Sequence, residues 1–315
     1  MKKLLRIVLV LVPGVAVVVV LGVNYATEHI LPYSPIRPHR CTNEEIADYT
    51  SGVVNPAPFS SAWEEFDVTV EDTIRLKGWF VHAIGLPARG TIIILHGIGS
   101  CRIAMLPIAR TCVQNGFNCI LYDSRANGES GGLNCTFGYF EKRDVSAYID
   151  SATVRYPGCA PFGIFGDSFG AAVAIQTMAI EPRIACGVAE SPFASLREII
   201  HDYFRQMFLV PLDFIPDAAL KHSERIAGFS VDSVCPAADA HKILQPTMIV
   251  HGESDDKISS DHGRRVFDNL ASPKKEWYLI AEAGHNNIAY VGGTDYQRRI
   301  VGFFATHLAP AKRNR

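Results

Sequence analysis

The sequence predicts an α/β fold, with a mostly parallel sheet flanked by helices, from three observations. Short apolar runs typical of strands recur along the chain, near residues 91–95, 117–122, 161–165, 184–189, 246–251 and 276–280. Helical patterns alternate with them, at about 102–115, 140–155, 169–180, 261–271 and 295–307. The run TIIIL at residues 91–95 is also continuously apolar, as in a strand buried on both faces. Alternation of this kind produces a parallel sheet with helices on both sides.

The spacing of these elements favours one domain over residues 61–309, although a chain of 315 residues could also hold two small domains. An antiparallel hairpin is predicted at its start, where residues 66–70 and 74–82 alternate in polarity around a turn. Five prolines between residues 24 and 60 indicate a linker or extended arm ahead of the domain. Residues 310–315 form a short basic tail after it.

The segment GDSFG at residues 166–170 is the most informative motif. It follows the apolar run 161–165 and precedes a stretch of small residues, so a strand, a sharp turn and a helix are predicted around Ser168. In that context G-x-S-x-G forms a nucleophile elbow, whose glycines let the strand and the helix approach closely. A surface serine in a glycine-rich turn is the alternative, and the flanking strand and helix disfavour it.

A nucleophilic serine needs a base to take its proton and a carboxylate to orient that base. The predicted strand 246–251 leads directly into an acidic loop that contains Asp255, and the predicted strand 276–280 leads to His285. The order serine, acid, histidine, with each partner after a late strand, is the order expected around a nucleophile elbow.

The segment HGIG at residues 96–99 follows an early strand and is typical of an oxyanion loop. The intermediate of acyl transfer needs two backbone N–H donors, one from the residue after the nucleophile and one from this loop. The predicted donors are the N–H groups of Phe169 and Ile98. His96 is an alternative base, but its position favours a role in bracing the turn.

Five motifs together resemble the serine-hydrolase branch of the α/β-hydrolase fold family: HGIG, YDSRANGESGG, GDSFG, HGESDD and AGH. The layout is similar to membrane-anchored, single-domain esterases, thioesterases and lipases, and the resemblance covers about residues 60–309. It implies Ser168 as nucleophile, Asp255 as acid and His285 as base, with Ile98 and Phe169 as oxyanion donors.

Two details qualify the resemblance. The family pattern, His-Gly followed by two residues and then Asp, selects Asp255 over Glu253 and Asp256, and Asp256 remains the main competitor. The turn after Tyr122-Asp123 commonly reads Arg-Gly-His-Gly in the family, whereas here residues 125–128 read RANG. This departure leaves the triad intact and bears on substrate preference.

An insertion at about residues 193–243 interrupts the alternation of strands and helices. It is rich in large apolar side chains, namely Tyr203, Phe204, Met207, Phe208, Leu209, Leu212, Phe214 and Ile215. In this family such an insertion usually forms a helical cap over the serine, and an apolar cap favours an acyl or aromatic substrate group. These side chains could instead only pack the cap onto the sheet.

The first 23 residues are predicted to be a membrane anchor or signal segment. Lys2, Lys3 and Arg6 precede the apolar run 7–23, which would span about 25 Å as a helix. A cleaved signal usually has a shorter apolar region and small residues before its cleavage point, which NYA at 24–26 matches poorly. An uncleaved anchor is favoured, with the domain in the periplasm, a lumen or the exterior; secretion after cleavage is the alternative.

Composition and cysteine usage limit the other possibilities. Hydrophobic residues make up 48% of the chain, which argues against disorder, and the net charge of −2 without a basic stripe argues against a nucleic-acid partner. No C-x-x-C pair supports zinc or thioredoxin-like chemistry. Cys119 and Cys186 lie in apolar runs and are expected to be buried thiols. The other six cysteines could form disulfides in several combinations.

The sequence therefore predicts a serine hydrolase that cleaves a carboxylic ester or thioester of a small-molecule acyl substrate through an acyl-enzyme, without a cofactor or metal. Amide or peptide hydrolysis, or acyl transfer to another acceptor, would use the same triad. A non-catalytic, membrane-tethered binding protein that keeps the fold is the alternative from a different class.

Overall fold

Apolar runs, several of them rich in β-branched residues, form the central strands of this protein. A computed structural model describes residues 2–47, 50–85, 87–208 and 212–308, without the side chains of residues 2–11, 13, 16 and 43. The strands are β1 Trp63–Glu65, β2 Val68–Val70, β3 Ile74–Leu76, β4 Gly78–Val81, β5 Thr91–Leu95, β6 Asn118–Tyr122, β7 Phe162–Asp167, β8 Ile184–Glu190, β9 Thr247–Gly252 and β10 Lys275–Ile280.

Eight strands form one sheet in the order β1-β4-β6-β5-β7-β8-β9-β10. The six strands from β6 to β10 in this order run parallel, whereas β4 pairs antiparallel with both β1 and β6. Every residue of β5 is buried, as the run TIIIL predicts for a central strand. The predicted fold class, a mostly parallel sheet flanked by helices, is confirmed.

Helices cover both faces of the sheet. They are α1 Lys2–His29, α2 Tyr33–Ile36, α3 Asn43–Ala47, α4 Leu106–Gln114, α5 Glu141–Arg155, α6 Phe169–Met178, α7 Leu196–Phe208, α8 Phe214–Ala227, α9 Pro236–Asp239, α10 Ser260–Asn269 and α11 Ile288–His307. The last helix is interrupted at Gly293, whose φ of 53° is not helical. Two apolar cores lie against the two faces of the sheet. Along the chain, the helices α7, α8 and α9 lie between β8 and β9.

The opening hairpin differs in detail from the prediction. β2 and β3 pair antiparallel as a separate two-stranded sheet, and β4 then leaves that pair to join the main sheet beside β6. The chain passes from the two-stranded sheet to the main sheet at Lys77, whose ammonium group lies 2.7 Å from the carboxylate of Asp67. A single strand over residues 74–82 is therefore replaced by two short ones.

Residues 24–60 are not an extended arm. Part of the segment is helical, and it packs onto the domain because its apolar side chains find buried positions, Ile36 being fully buried. The guanidinium group of Arg40 donates to the backbone carbonyls of Gly128, Ser130 and Gly132, and the hydroxyl of Ser223 in α8 donates to the carbonyl of Pro32.

The ends of the chain carry two predictions that stay open. The proposed anchor at residues 1–23 falls partly on side chains outside the description, and residues 309–315, which include the basic tail, lie outside it altogether. Within the described part of the chain, no helix combines the length and the apolar character needed to cross a bilayer.

A disulfide bond joins Cys41 of the packed N-terminal segment to Cys101, two residues after the HGIG loop. We expect Cys41→Ser/Cys101→Ser to lower the free energy of unfolding by about 2–4 kcal/mol, because the bond closes a loop of 60 residues in the unfolded chain. Urea denaturation with and without reductant measures this effect. Cys235→Ser, at a half-buried free thiol, is the control. If the urea midpoint of the wild-type protein were the same with and without reductant, the prediction would be wrong.

Candidate active site

Ser168 occupies a strained turn between β7 and α6. Its φ of 54° lies in the left-handed region, and its backbone N–H donates to the carbonyl of Glu190 at 2.8 Å. The flanking glycines are sterically required: a Cβ on Gly166 would lie 2.2 Å from the carbonyl oxygen of Gly170, and one on Gly170 would lie 2.6 Å from that of Leu95. The GDSFG segment therefore forms the strand–turn–helix unit that its sequence predicts.

The structure brings Ser168, His285 and Asp255 together from three loops. The Oγ atom of Ser168 lies 2.9 Å from Nε2 of His285, and Nδ1 of His285 lies 2.7 Å from Oδ2 of Asp255. With the proton on Nδ1, the ring donates to the carboxylate and accepts from the serine hydroxyl. This chain of hydrogen bonds can pass the serine proton to histidine while the carboxylate holds the imidazole in place.

Asp255 is held in its ionised form by the loop around it. Its Oδ1 accepts from the backbone N–H groups of Lys257 and Ile258 at 3.0 and 2.9 Å, and its Oδ2 accepts from the Ser191 hydroxyl at 3.0 Å. Burial by itself raises the pKa of Asp255, but hydrogen bonds, with the His251 and His285 rings foremost, outweigh burial and lower the pKa well below its usual value. The neighbouring Glu253 and Asp256 are exposed on the same loop.

Sequence reasoning missed two of these supporting side chains. Ser191 follows β8, and His251 lies fully buried near the end of β9, with its Nε2 3.4 Å from the Asp255 carboxylate. The only available signal was position, because Ser191 follows β8 and His251 lies at the carboxyl end of β9, and both strands run parallel to β7 in the same sheet.

His96 is not free to act as a base. Its ring is fully buried, Nδ1 lies 2.7 Å from the carbonyl of Gly97, and Nε2 accepts from the backbone N–H of Ser124 at 2.9 Å. Burial, the largest influence, lowers the pKa of His96 and so keeps the ring neutral. The histidine braces the loop after β5 against the loop after β6.

The two predicted oxyanion donors flank Ser168. Ile98 follows the braced turn and Phe169 begins α6, and both residues line a cavity that also contains Ser168. Among the described residues, no hydrogen-bond acceptor is paired with the backbone N–H of Ile98 or of Phe169. Both donors are therefore available for the charge that develops on a substrate carbonyl oxygen.

An apolar cavity of about 680 Å³ opens beside Ser168. Its walls come from helices α7 and α8, the sheet loops and the N-terminal segment. The larger apolar side chains include Leu31, Phe137, Phe193, Ile199, Ile200, Tyr203, Phe204, Met207 and Phe208. Four of the cap side chains singled out in the sequence thus face this cavity. Leu209 lies outside the described residues.

A second cavity of about 730 Å³ is also lined by Ser168, and it shares Ile98, Gly99 and Tyr203 with the apolar cavity. His285 lines this cavity but not the apolar one, together with Asp167, Glu190 and Tyr296. Within the residues described here, no group of three or more His, Cys, Asp or Glu side chains is arranged to hold a metal ion.

A family model described as "Serine aminopeptidase, S33", of the hydrolase type, matches residues 87–234, which include the HGIG and GDSFG segments. The chain belongs to the α/β-hydrolase fold family. This confirms the resemblance at the level of the family. It also shows that the domain is that of a hydrolase.

The relatives of this α/β hydrolase include two bacterial proteins. YqkD of Bacillus subtilis is 27% identical over 74% of this chain and 76% of its own length. YfhR of Escherichia coli is 26% identical over 82% of this chain and 85% of its own length. Among solved structures, the Pyrococcus furiosus esterase Pf2001 has a TM-score of 0.71 at 24% identity and covers 88% of this chain and 100% of its own. Est1E of Butyrivibrio proteoclasticus, solved with ferulic acid, has a TM-score of 0.62 at 16% identity and covers 77% of this chain and 99% of its own.

The turn in which this α/β hydrolase departs from the family pattern supports the HGIG loop at residues 96–99. Ala126 stands where glycine is common and adopts a φ of 60°. Asn127 is fully buried, and its side-chain oxygen accepts from the backbone N–H of Gly99 at 3.2 Å, while its amide donates to the carbonyl of Arg125 at 2.9 Å. Asn127 therefore ties this turn to the residue after Ile98.

Proposed function

We propose that this α/β hydrolase is a serine hydrolase that cleaves carboxylic esters or thioesters through an acyl-enzyme. The observation that carries the proposal is the hydrogen-bonded series Ser168, His285, Asp255 at the junction of two cavities. The residues at this junction supply a nucleophile, a base, an orienting carboxylate and two free N–H donors.

The reaction follows from these positions. His285 Nε2 takes the proton of the Ser168 hydroxyl as Oγ bonds to the substrate carbonyl carbon, and the carbonyl oxygen becomes an oxyanion that Ile98 and Phe169 stabilise through their N–H groups. His285 then gives the proton to the leaving alcohol or thiol, and the bond to that group breaks. A water molecule, deprotonated by His285, attacks the acyl-enzyme and releases the acid.

The apolar cavity is suited to the acyl part of the substrate. Its volume of about 680 Å³ and its aromatic and aliphatic walls suit a hydrocarbon chain or an aromatic ring, whose burial is favourable. The solved structures that share this fold include an esterase and a protein bound to ferulic acid.

Amide or peptide hydrolysis is the second candidate, because the matching family model is described as a serine aminopeptidase. The same series of residues would protonate an amine leaving group. Matched esters and anilides of one acyl chain, assayed side by side, separate the two candidates. We expect the ester to be the better substrate.

A panel of p-nitrophenyl esters of graded acyl length tests the assignment of the apolar cavity. Ala219 in α8 lines the cavity, so Ala219→Phe should shift the preferred acyl length downward by lowering kcat/KM for long chains selectively. Ala218→Phe on the same helix, at a position that does not line the cavity, is the matched control. An unchanged length profile in Ala219→Phe would contradict the assignment.

We also propose that residues 1–23 hold the protein at a membrane with the domain outside the cytoplasm. The support is in the sequence, where Lys2, Lys3 and Arg6 precede an apolar run. Protease added to intact spheroplasts should digest the domain, and the protein should resist carbonate extraction. A domain shielded until lysis would reverse the orientation, and a soluble form beginning near Thr27 would indicate a cleaved signal.

A further inference from the structure

The two cavities at Ser168 have different roles in a reaction that passes a proton to the leaving group. His285 must deliver that proton, so the leaving group must lie within reach of its Nε2 atom. His285 lines the second cavity and not the apolar one. The acyl group therefore belongs in the apolar cavity, and the leaving group belongs in the second cavity.

The second cavity contains a pair of carboxylates at the ends of two adjacent strands. Asp167 ends β7 and Glu190 ends β8, and the two residues are register partners in the parallel ladder. Register partners in parallel strands project their side chains from the same face of the sheet. Both side chains line the second cavity, next to Ser168 and His285.

Glu190 has no cationic partner within the described residues, and the side chain that hydrogen-bonds to its carboxyl group is that of Tyr296. The Glu190 side chain is 93% buried, since only 7% of its surface is exposed, and its Oε2 atom has no hydrogen-bond donor within the described residues. A buried carboxylate without a cation beside it is costly, so a positively charged group placed in the cavity beside Asp167 and Glu190 would be bound favourably.

We propose that the second cavity binds a leaving group that carries a primary ammonium, held by the carboxylates of Asp167 and Glu190. The assignment rests on the proposed hydrolysis for its placement of the leaving group, but the cation site itself is a property of the free protein. An ammonium group donates three hydrogen bonds and carries the charge that the carboxylate pair lacks. Neither carboxylate takes part in the series Ser168, His285, Asp255.

The charge state of the pair supports a cation site and predicts its dependence on pH. Burial, and then the neighbouring Asp167, raise the pKa of Glu190, and burial raises the pKa of Asp167 although His285 and Lys257 oppose this shift. The pair therefore gains negative charge as the pH rises from acid through neutral. A bound ammonium favours the ionised pair, so its affinity should increase over the same range.

Other titratable groups face the pair from the surrounding elements. Tyr296 of α11 lies beside Glu190, while His285, Asp255 and Lys257 approach from the loops after β9 and β10. Lys257 is exposed, so solvent screens its repulsion of a cation. Protonation of His285 in acid would also weaken cation binding, so the test needs a variant that lacks only the carboxylates.

Calorimetric binding of two alcohols to the full chain tests the site directly. 4-(Aminomethyl)benzyl alcohol carries an ammonium where 4-ethylbenzyl alcohol carries a methyl group of similar size. We expect the ammonium alcohol to bind roughly tenfold more tightly near pH 8, which corresponds to one well-placed charge interaction, and to lose this advantage near pH 5. The neutral alcohol should show no comparable dependence on pH.

Asp167→Asn/Glu190→Gln preserves the shapes of both side chains and removes the charge, so it should abolish the preference for ammonium. The two single variants, each checked by circular dichroism, serve if the double variant does not fold. Glu253→Gln removes an exposed carboxylate from the Asp255 loop and should leave the preference unchanged. Equal affinity for the two alcohols in the wild type, or a preference that survives in the double variant, would overturn the proposal.

Hydrolysis of the matching butanoate esters keeps this inference distinct from the proposed function. Turnover of both esters with a lower KM for the ammonium ester would support both proposals. Preferential binding of the ammonium alcohol without turnover of either ester would support the cation site and contradict the hydrolysis. Turnover of both esters with equal KM and equal alcohol affinities would contradict the cation site alone.

Discussion

Ser168→Ala is expected to reduce kcat/KM for ester hydrolysis by about 10⁴-fold or more, because it removes the atom that bonds to the substrate. The fold should remain intact. The substitution adds no bulk to a turn in which a Cβ on Gly166 would already lie 2.2 Å from a backbone oxygen. Steady-state kinetics and a thermal melt of the purified variant measure the two expectations.

Ser254→Ala is the matched control for this experiment. Ser254 is an exposed serine on the loop that carries Asp255, and its hydroxyl takes no part in the hydrogen bonds that join Ser168, His285 and Asp255. Its activity should stay close to that of the wild type. If the Ser168 variant kept more than a few per cent of wild-type activity, another residue would be the nucleophile.

His285→Ala should be about as damaging as the serine substitution, because the hydroxyl of Ser168 then has no base at 2.9 Å. Residues that act as one unit are strongly non-additive, so Ser168→Ala/His285→Ala should lose little beyond either single variant. The measurement is a comparison of kcat for the three variants at one pH.

His241→Ala provides the control for the histidine substitution, since His241 is exposed in the cap and far from Ser168 in sequence. His96→Ala should lose activity by a different route, through a displaced loop, because its ring joins Gly97 to Ser124. Near-normal turnover in His285→Ala would assign the base to another group.

Local patterns predicted the parts of the fold that depend on continuous burial. The runs that became β5 to β9 are almost wholly buried, and they are long enough, and apolar enough, to stand out from the loops. β1 escaped prediction because it has three residues and only partly buried side chains, so its place is set by pairing with β4 rather than by its own pattern. Whether such an edge strand forms depends on its pairing in the folded protein.

The N-terminal segment shows where composition misleads. Its prolines indicated an extended arm, but Ile36 and Arg40 give it buried and hydrogen-bonded contacts with the domain that no local pattern reveals. Its bond from Cys41 to Cys101 was one of many possible pairings in the sequence. Contacts between residues far apart in the chain require the fold before they can be recognised.

Only part of the candidate site could be predicted from the sequence. Motifs with fixed spacing pointed to Ser168, Asp255 and His285, and the structure brings these three residues together. The carboxylate pair could not be found from spacing, because Asp167 and Glu190 stand 23 positions apart and meet only through the register of β7 with β8. The hydroxyl of Ser191 reaches Asp255 through the same arrangement of strand ends.

Covalent labelling of the wild-type protein by a fluorophosphonate tests the central claim most directly. The reagent phosphonylates a serine hydroxyl only when a base and an oxyanion site activate it. We predict stoichiometric addition by intact-protein mass spectrometry, mapped by peptide analysis to Ser168 and abolished in Ser168→Ala. The absence of labelling in well-folded protein, or labelling at another serine, would contradict the account.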